Sequence, residues 1–158
     1  MDGAVRRVVG RGAVTIAGMA PESDDFAAVV VYSNRPEFRE QVCVAVGTRP
    51  AADVPRVDWF ECSTVAQVLE HVDLGGIDLV VLDGEAQPTG GMGLSRQFKN
   101  ELIDCPPVLV VVARRDDRWL AHWALADAVL SQPLDPVRAA EAVAEQLRNR
   151  VNRLPVAR

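Results

Sequence analysis

Residues 76–95 read GIDLVVLDGEAQPTGGMGLS. Ile77 to Leu82 is aliphatic and β-branched apart from Asp78, a pattern that suits a strand buried on both faces of a parallel sheet. Asp83 stands where the apolar run stops, at the strand's carboxyl end. In open α/β sheets, ligands and chemistry collect at that edge. The turn that follows is rich in Gly and Pro, and Gly90-Gly91-Met92-Gly93 reads as a flexible loop. With no Lys-Ser/Thr after it, that run is not a phosphate cradle.

Four more strands are expected around this one. Phe26–Tyr32 and Val108–Ala113 are continuous apolar runs, Arg56–Glu61 alternates Val57 and Trp59 with charges as an edge strand does, and Ala128–Ser131 is short. Helices are expected between them. Pro36 opens the first, which carries Phe38, Val42 and Ala45 on one face. Thr64-x-x-Gln67 is a capping box for the second, with a stripe of Val65, Val68, Leu69 and Val72. The third spans Leu94 to Ile103 and stops at Pro106-Pro107. The fourth, Arg118–Leu125, is capped by Asp116-Asp117 and carries Trp119 and Trp123 one turn apart. Asp135 caps the last, whose buried stripe is Val137, Ala140, Val143, Ala144 and Leu147. Strands alternating with helices give a doubly wound parallel sheet with right-handed crossovers. At this length the flavodoxin-like five-stranded order 2-1-3-4-5 with five helices leads.

A chain of 158 residues is one domain's worth, and 49% apolar with 25% charged residues is ordinary for a soluble globule. Residues 1–25 read as a flexible arm, 26–150 as the domain and 151–158 as a polar tail. The arm imitates a secretory signal weakly, but its apolar part is short and broken, so a cytoplasmic protein is expected. Met19 is an alternative start. No apolar run approaches the roughly 18 residues of a membrane span. A net charge of −5 argues against a nucleic-acid partner. Cys43, Cys62 and Cys105, odd in number and widely spaced, are expected to be reduced. His71 and His122 fit no metal pattern and are expected on helix surfaces.

The segments VVVYSNRPEFRE, DLVVLDGEAQP, PPVLVVVARRDD and ADAVLSQPLDP, in that order and spacing, resemble the CheY-like receiver domain of two-component response regulators. The resemblance covers about Phe26 to Arg148 and implies that Asp83 holds the phosphoacceptor place. It also implies departures. The two Mg²⁺-holding acids fall on Ser33 and Asn34, the hydroxyl that ends the fourth strand on Val112, the lysine before the fifth-strand proline on Gln132, and the switch aromatic on Val129. The loop between Asp83 and Gly93 is about two residues longer than usual. Asp83 is therefore expected to stand alone on the sheet rim, without cationic help, and to take no phosphoryl group at a useful rate. Two other readings stay open: a carboxylate held by turn amides of Gly84–Gly90, and an aspartyl nucleophile of dehalogenase type with Glu85 as its second acid.

The function expected is that of a degenerate, stand-alone pseudo-receiver. It is not an enzyme, uses no cofactor or metal, and acts as a phosphorylation-independent interaction module. Its expected partner face joins the fourth helix, fifth strand and fifth helix, where the resemblance puts Ala121 and Ala124 against the sheet and Trp119 and Trp123 outward. The tryptophans are either extra core or a partner surface; a homodimer or a larger assembly both fit. The alternative function is a genuine phosphoacceptor at Asp83 that requires Mg²⁺.

Overall fold

The computed structural model describes residues 6–8 and 26–153. Five parallel strands form the sheet: β2 (Phe26–Tyr32), β3 (Arg56–Cys62), β4 (Leu79–Asp83), β5 (Val108–Val112) and β6 (Ala128–Ser131). Their order across the sheet is β3-β2-β4-β5-β6, the flavodoxin-like arrangement. A sixth strand, β1 (Arg6–Val8), adds to the outer edge of β3 in antiparallel register, with Arg6 opposite Glu61 and Val8 opposite Trp59. These three residues fall in the stretch read as a flexible arm, and they pair an edge that would otherwise present open backbone groups. Met19 lies outside the described residues.

The helices are α1 (Pro36–Val46), α2 (Val65–Leu74), α3 (Gly91–Glu101), α4 (Arg118–Trp123) and α5 (Pro136–Arg153). Alternation along each strand separates two cores. Val29, Val31, Leu79, Val81, Leu109 and Val111 face α1 and α5, where Phe38, Val42, Val143 and Leu147 meet them. Val30, Tyr32, Val80, Leu82, Val108 and Val110 face α2, α3 and α4, which supply Val68, Leu94, Phe98 and Ala121. Every residue of β4 and β5 is buried, as expected of central parallel strands. At the amino ends of the strands two carboxylates finish the ladder: Asp78 accepts from the Ala28 amide at 2.9 Å and Asp127 from the Val108 amide at 2.8 Å. Burial pushes the Asp78 carboxyl up from its ordinary range.

Several local expectations are corrected. Helix α3 begins at Gly91 rather than Leu94, so Gly91-Met92-Gly93 is its first turn and not a free loop. The glycines are there for close approach: a Cβ on Gly91 would lie 2.7 Å from the Asp83 carbonyl oxygen, and one on Gly84 would lie 2.9 Å from the Val111 oxygen. The Thr64 hydroxyl caps the Gln67 amide at 3.2 Å, but the Gln67 side chain reaches back to the Ser63 amide, one residue before the cap. Asp117 occupies the cap position of α4 without a side-chain bond to it; a 3-10 turn (Arg115–Asp117) precedes the helix, and Asp117 pairs with Arg114. Asp135 does cap α5, accepting from the Val137 amide at 3.2 Å. That helix buries Ala139, Val143, Ala144, Gln146 and Leu147 but exposes Val137, and it runs three residues into the stretch read as tail. On α1, Val46 rather than Ala45 completes the buried face.

Candidate functional site

The carboxyl ends of β2 and β4 carry the residues of interest on adjacent strands. Pro36 at the first position of α1 disfavours helical backbone at the residue before it, and Arg35 is extended at φ −103°, ψ 115°. This sets Ser33-Asn34-Arg35 across the rim of the sheet beside the β4–α3 loop.

Asp83 is almost wholly buried, at 1% exposure. Its Oδ2 accepts from the Ser33 hydroxyl at 2.6 Å and from Arg35 Nη2 at 2.9 Å. Its Oδ1 accepts from the Glu85 amide at 2.8 Å. Asp83 is therefore not the solitary acid expected from the sequence; a guanidinium and a hydroxyl hold one oxygen and a turn amide the other. The turn-amide reading is present in the Glu85 bond. Glu85 contributes that amide while the residue itself is exposed, so the dehalogenase-type pair is not assembled.

Ser33 is fixed on every side. Its Oγ accepts from the Arg35 amide at 3.0 Å, its amide donates to the Cys62 carbonyl at 3.1 Å, and its carbonyl accepts from Arg39 Nη1 at 2.7 Å. Arg39 is itself held by Glu61 at 3.0 Å. The Arg35 guanidinium also sits 5.6 Å from the centre of the Phe38 ring, a cation–π distance.

Two further bonds join the same two loops. Asn34 Oδ1 accepts from the Gln87 amide at 2.8 Å, and the Tyr32 hydroxyl donates to the Thr89 carbonyl at 2.7 Å. The β2–α1 loop is thus clasped to the β4–α3 loop by Tyr32, Ser33, Asn34 and Arg35 in succession. Burial, and then the nearby Asp83 charge, raise the Tyr32 phenol above its ordinary value, so it stays a donor. Tyr32, Arg35 and Gln87 were missed as site residues. The one available signal for Arg35 was a cation immediately before the helix-opening proline.

Val112 is fully buried in the apolar core at the end of β5, and its carbonyl accepts from the Gln132 amide at 3.0 Å. Gln132 follows β6, two strands from Asp83. Val129 is half-buried within β6. Among the described residues, no group of three or more His, Cys, Asp or Glu stands close enough to hold a metal ion.

Ala121 of α4 and Ala124, its C-cap residue, are fully buried, while Trp119 is 65% and Trp123 53% exposed. The two rings are therefore not extra core. Arg96 stacks over Trp123 at 4.4 Å and donates to the Trp123 carbonyl at 2.7 Å. His122 is exposed; His71 is half-buried, its ring 5.0 Å from that of Phe60. The three cysteines form no disulfide, and burial pushes the Cys62 thiol up to about 12.

The chain is 44% identical over 128 residues to a protein of Mycobacterium tuberculosis, found in strains CDC 1551 / Oshkosh and ATCC 25618 / H37Rv, that is named an uncharacterized response regulatory protein. The match covers 81% of this chain and 96% of the relative. The chain belongs to the response regulators and carries their receiver domain. No protein-family model matches it. Solved receivers share the fold at low identity. A receiver domain protein from Clostridium thermocellum aligns with TM-score 0.66 at 15% identity, covering 81% of this chain and 99% of that one. The receiver domain of Francisella response regulator 1452 aligns with TM-score 0.65 at 14% identity, covering 78% and 98%. NtrX of Brucella abortus aligns with TM-score 0.66 at 16% identity, and this chain spans 28% of its length. This receiver has no described helix long and apolar enough to cross a membrane.

Proposed function

We propose that this receiver works without phosphorylation, as a docking module whose Asp83 is a structural carboxylate. The observation that carries the proposal is the occupancy of Asp83: both oxygens already accept hydrogen bonds, and Arg35 supplies the cation. Oδ2, which takes two donors, would have to give one up to attack a phosphoryl group.

The residues present do not fit Mg²⁺. A hard divalent ion favours several anionic oxygens, and among the described residues Asp83 belongs to no cluster of three or more such ligands. Its Oδ2 is shared with a guanidinium, and Asn34 Oδ1 is committed to the Gln87 amide. Gln132 and Val112 provide neither the cation nor the hydroxyl that stabilise a transferring phosphoryl group. Losing a single such donor costs roughly 100–1000-fold in rate, and a metal supplies several kcal/mol more. The module performs no reaction of its own and needs no cofactor. It docks a protein partner through the α4 side of the domain, where Trp119 and Trp123 present aromatic surface of the kind that dominates binding energies.

The second reading, a phosphoacceptor receiver, is favoured by Asp83 itself, which keeps the carboxyl end of the central strand. Incubating the protein with acetyl phosphate and Mg²⁺, followed by intact mass measurement, separates the two. No adduct is expected on Asp83. An adduct that is lost in Asp83→Asn would establish the second reading.

A further inference from the structure

A cleft of about 570 Å³ opens at the carboxyl end of β6, between the 3-10 turn, the start of α4 and the start of α5. Three arginines line it, Arg115, Arg118 and Arg138, one from each of those elements. Arg115 and Arg118 have no side-chain hydrogen bond or ion pair among the described residues. Arg138 has only a loose pairing with Asp135, 3.9 Å away, with 77% of its side chain exposed. Asp135 is the one carboxylate lining the cleft, and it is occupied in capping α5. On a chain of net charge −5, this is a local reversal of sign.

We propose that this cleft is a binding site for a small phosphate-bearing anion. Guanidinium forks pair with carboxylate or phosphate oxygens through charge-assisted hydrogen bonds. Three forks from three elements suit a tetrahedral dianion, which offers more oxygens and more charge than a single carboxylate. Ser131 and Gln132 add polar groups to the lining, while Leu130 and Pro133 give an apolar wall for an organic portion. The volume falls within the roughly 300–1,000 Å³ usual for small-ligand sites. Nucleic acid fits poorly, because an acidic molecule whose cleft gathers three arginines differs from an extended basic stripe that tracks a phosphate backbone. Gln132, counted above among the degenerate pocket positions, belongs to this cleft. Asp83 is not among the residues that line it.

The test is an amide NMR titration of the full chain with inorganic phosphate, with adenosine monophosphate and with adenosine. Saturable shifts at Arg115–Arg118 and Ser131–Arg138 with the phosphate compounds, and none there with adenosine, are expected. Tighter binding of the monophosphate than of phosphate assigns the site to a phosphate ester, and equal binding assigns it to the free anion; either supports the site. The Arg118→Ala/Arg138→Ala variant should bind roughly tenfold or more weakly, since charged hydrogen bonds are lost, and should melt as the parent does because both residues are exposed. No saturable shift, equal shifts with adenosine, or undiminished binding by a folded double variant would overturn the proposal.

Discussion

Asp83→Ala is expected to lower the unfolding free energy by about 2–4 kcal/mol, read from urea denaturation. The reason is the set of partners it abandons. The Ser33 hydroxyl donates to it at 2.6 Å in a fully buried position, and the Glu85 amide donates at 2.8 Å. Leaving buried donors without acceptors costs more than the bonds contribute. Arg35 adds little to the figure, because its side chain is 46% exposed and returns to water. In a pocket holding two or three carboxylates, the same substitution would relieve like-charge repulsion and raise stability. A variant as stable as the parent, or more so, would mean that Asp83 is under strain and not satisfied.

The second large effect is a gain of magnesium dependence. The triple variant Ser33→Asp, Asn34→Asp, Arg35→Ala removes the guanidinium and gathers three carboxylates on the rim. Without a divalent ion it should melt well below the parent, because like charges crowd a partly buried site. With Mg²⁺ at about 100 times its dissociation constant, roughly 2.7 kcal/mol should return by mass action. The parent should show no such response. Melting curves with and without magnesium chloride check both halves. A parent stabilised by magnesium, or a triple variant indifferent to it, would contradict the proposal that Arg35 stands in place of the metal cation.

Much of the fold was legible because parallel strands leave plain marks. The apolar runs of β2, β4 and β5 and the short β6 were read with boundaries correct to within about two residues. The misses have physical causes. Gly91-Met92-Gly93 looked like a loop because glycine is a poor helix former; its presence reflects the 2.7 Å approach to the Asp83 carbonyl, which no local pattern reveals. Val137 was placed in the core of α5 by periodicity, yet the helix reaches the sheet only from Ala139 onward. Arg6–Val8 was missed because three residues, two of them charged, carry no strand signal without the β3 edge beside them.

The candidate site was legible in its positions but not in its bonds. Ser33 and Asp83 meet on one rim, with Asn34 beside them; the sequence left Trp119 and Trp123 open between extra core and an outward face, and their exposure selects the second. What could not be read was the direction of a flexible side chain. Arg35 lies 48 residues from Asp83 in sequence, and only the folded rim brings its guanidinium to 2.9 Å. That contact overturns the expectation that Asp83 stands without cationic help: a cation is supplied from within the chain.

The most direct measurement is an amide NMR titration of the unmodified protein with magnesium and beryllofluoride, a mimic of the phosphoryl group. The account predicts no saturable change at Ser33–Arg35 or Gly84–Gly90, whose loops stay clasped by Ser33, Asn34 and Arg35. Saturable, magnesium-dependent shifts in those two loops, absent in Asp83→Asn, would contradict it.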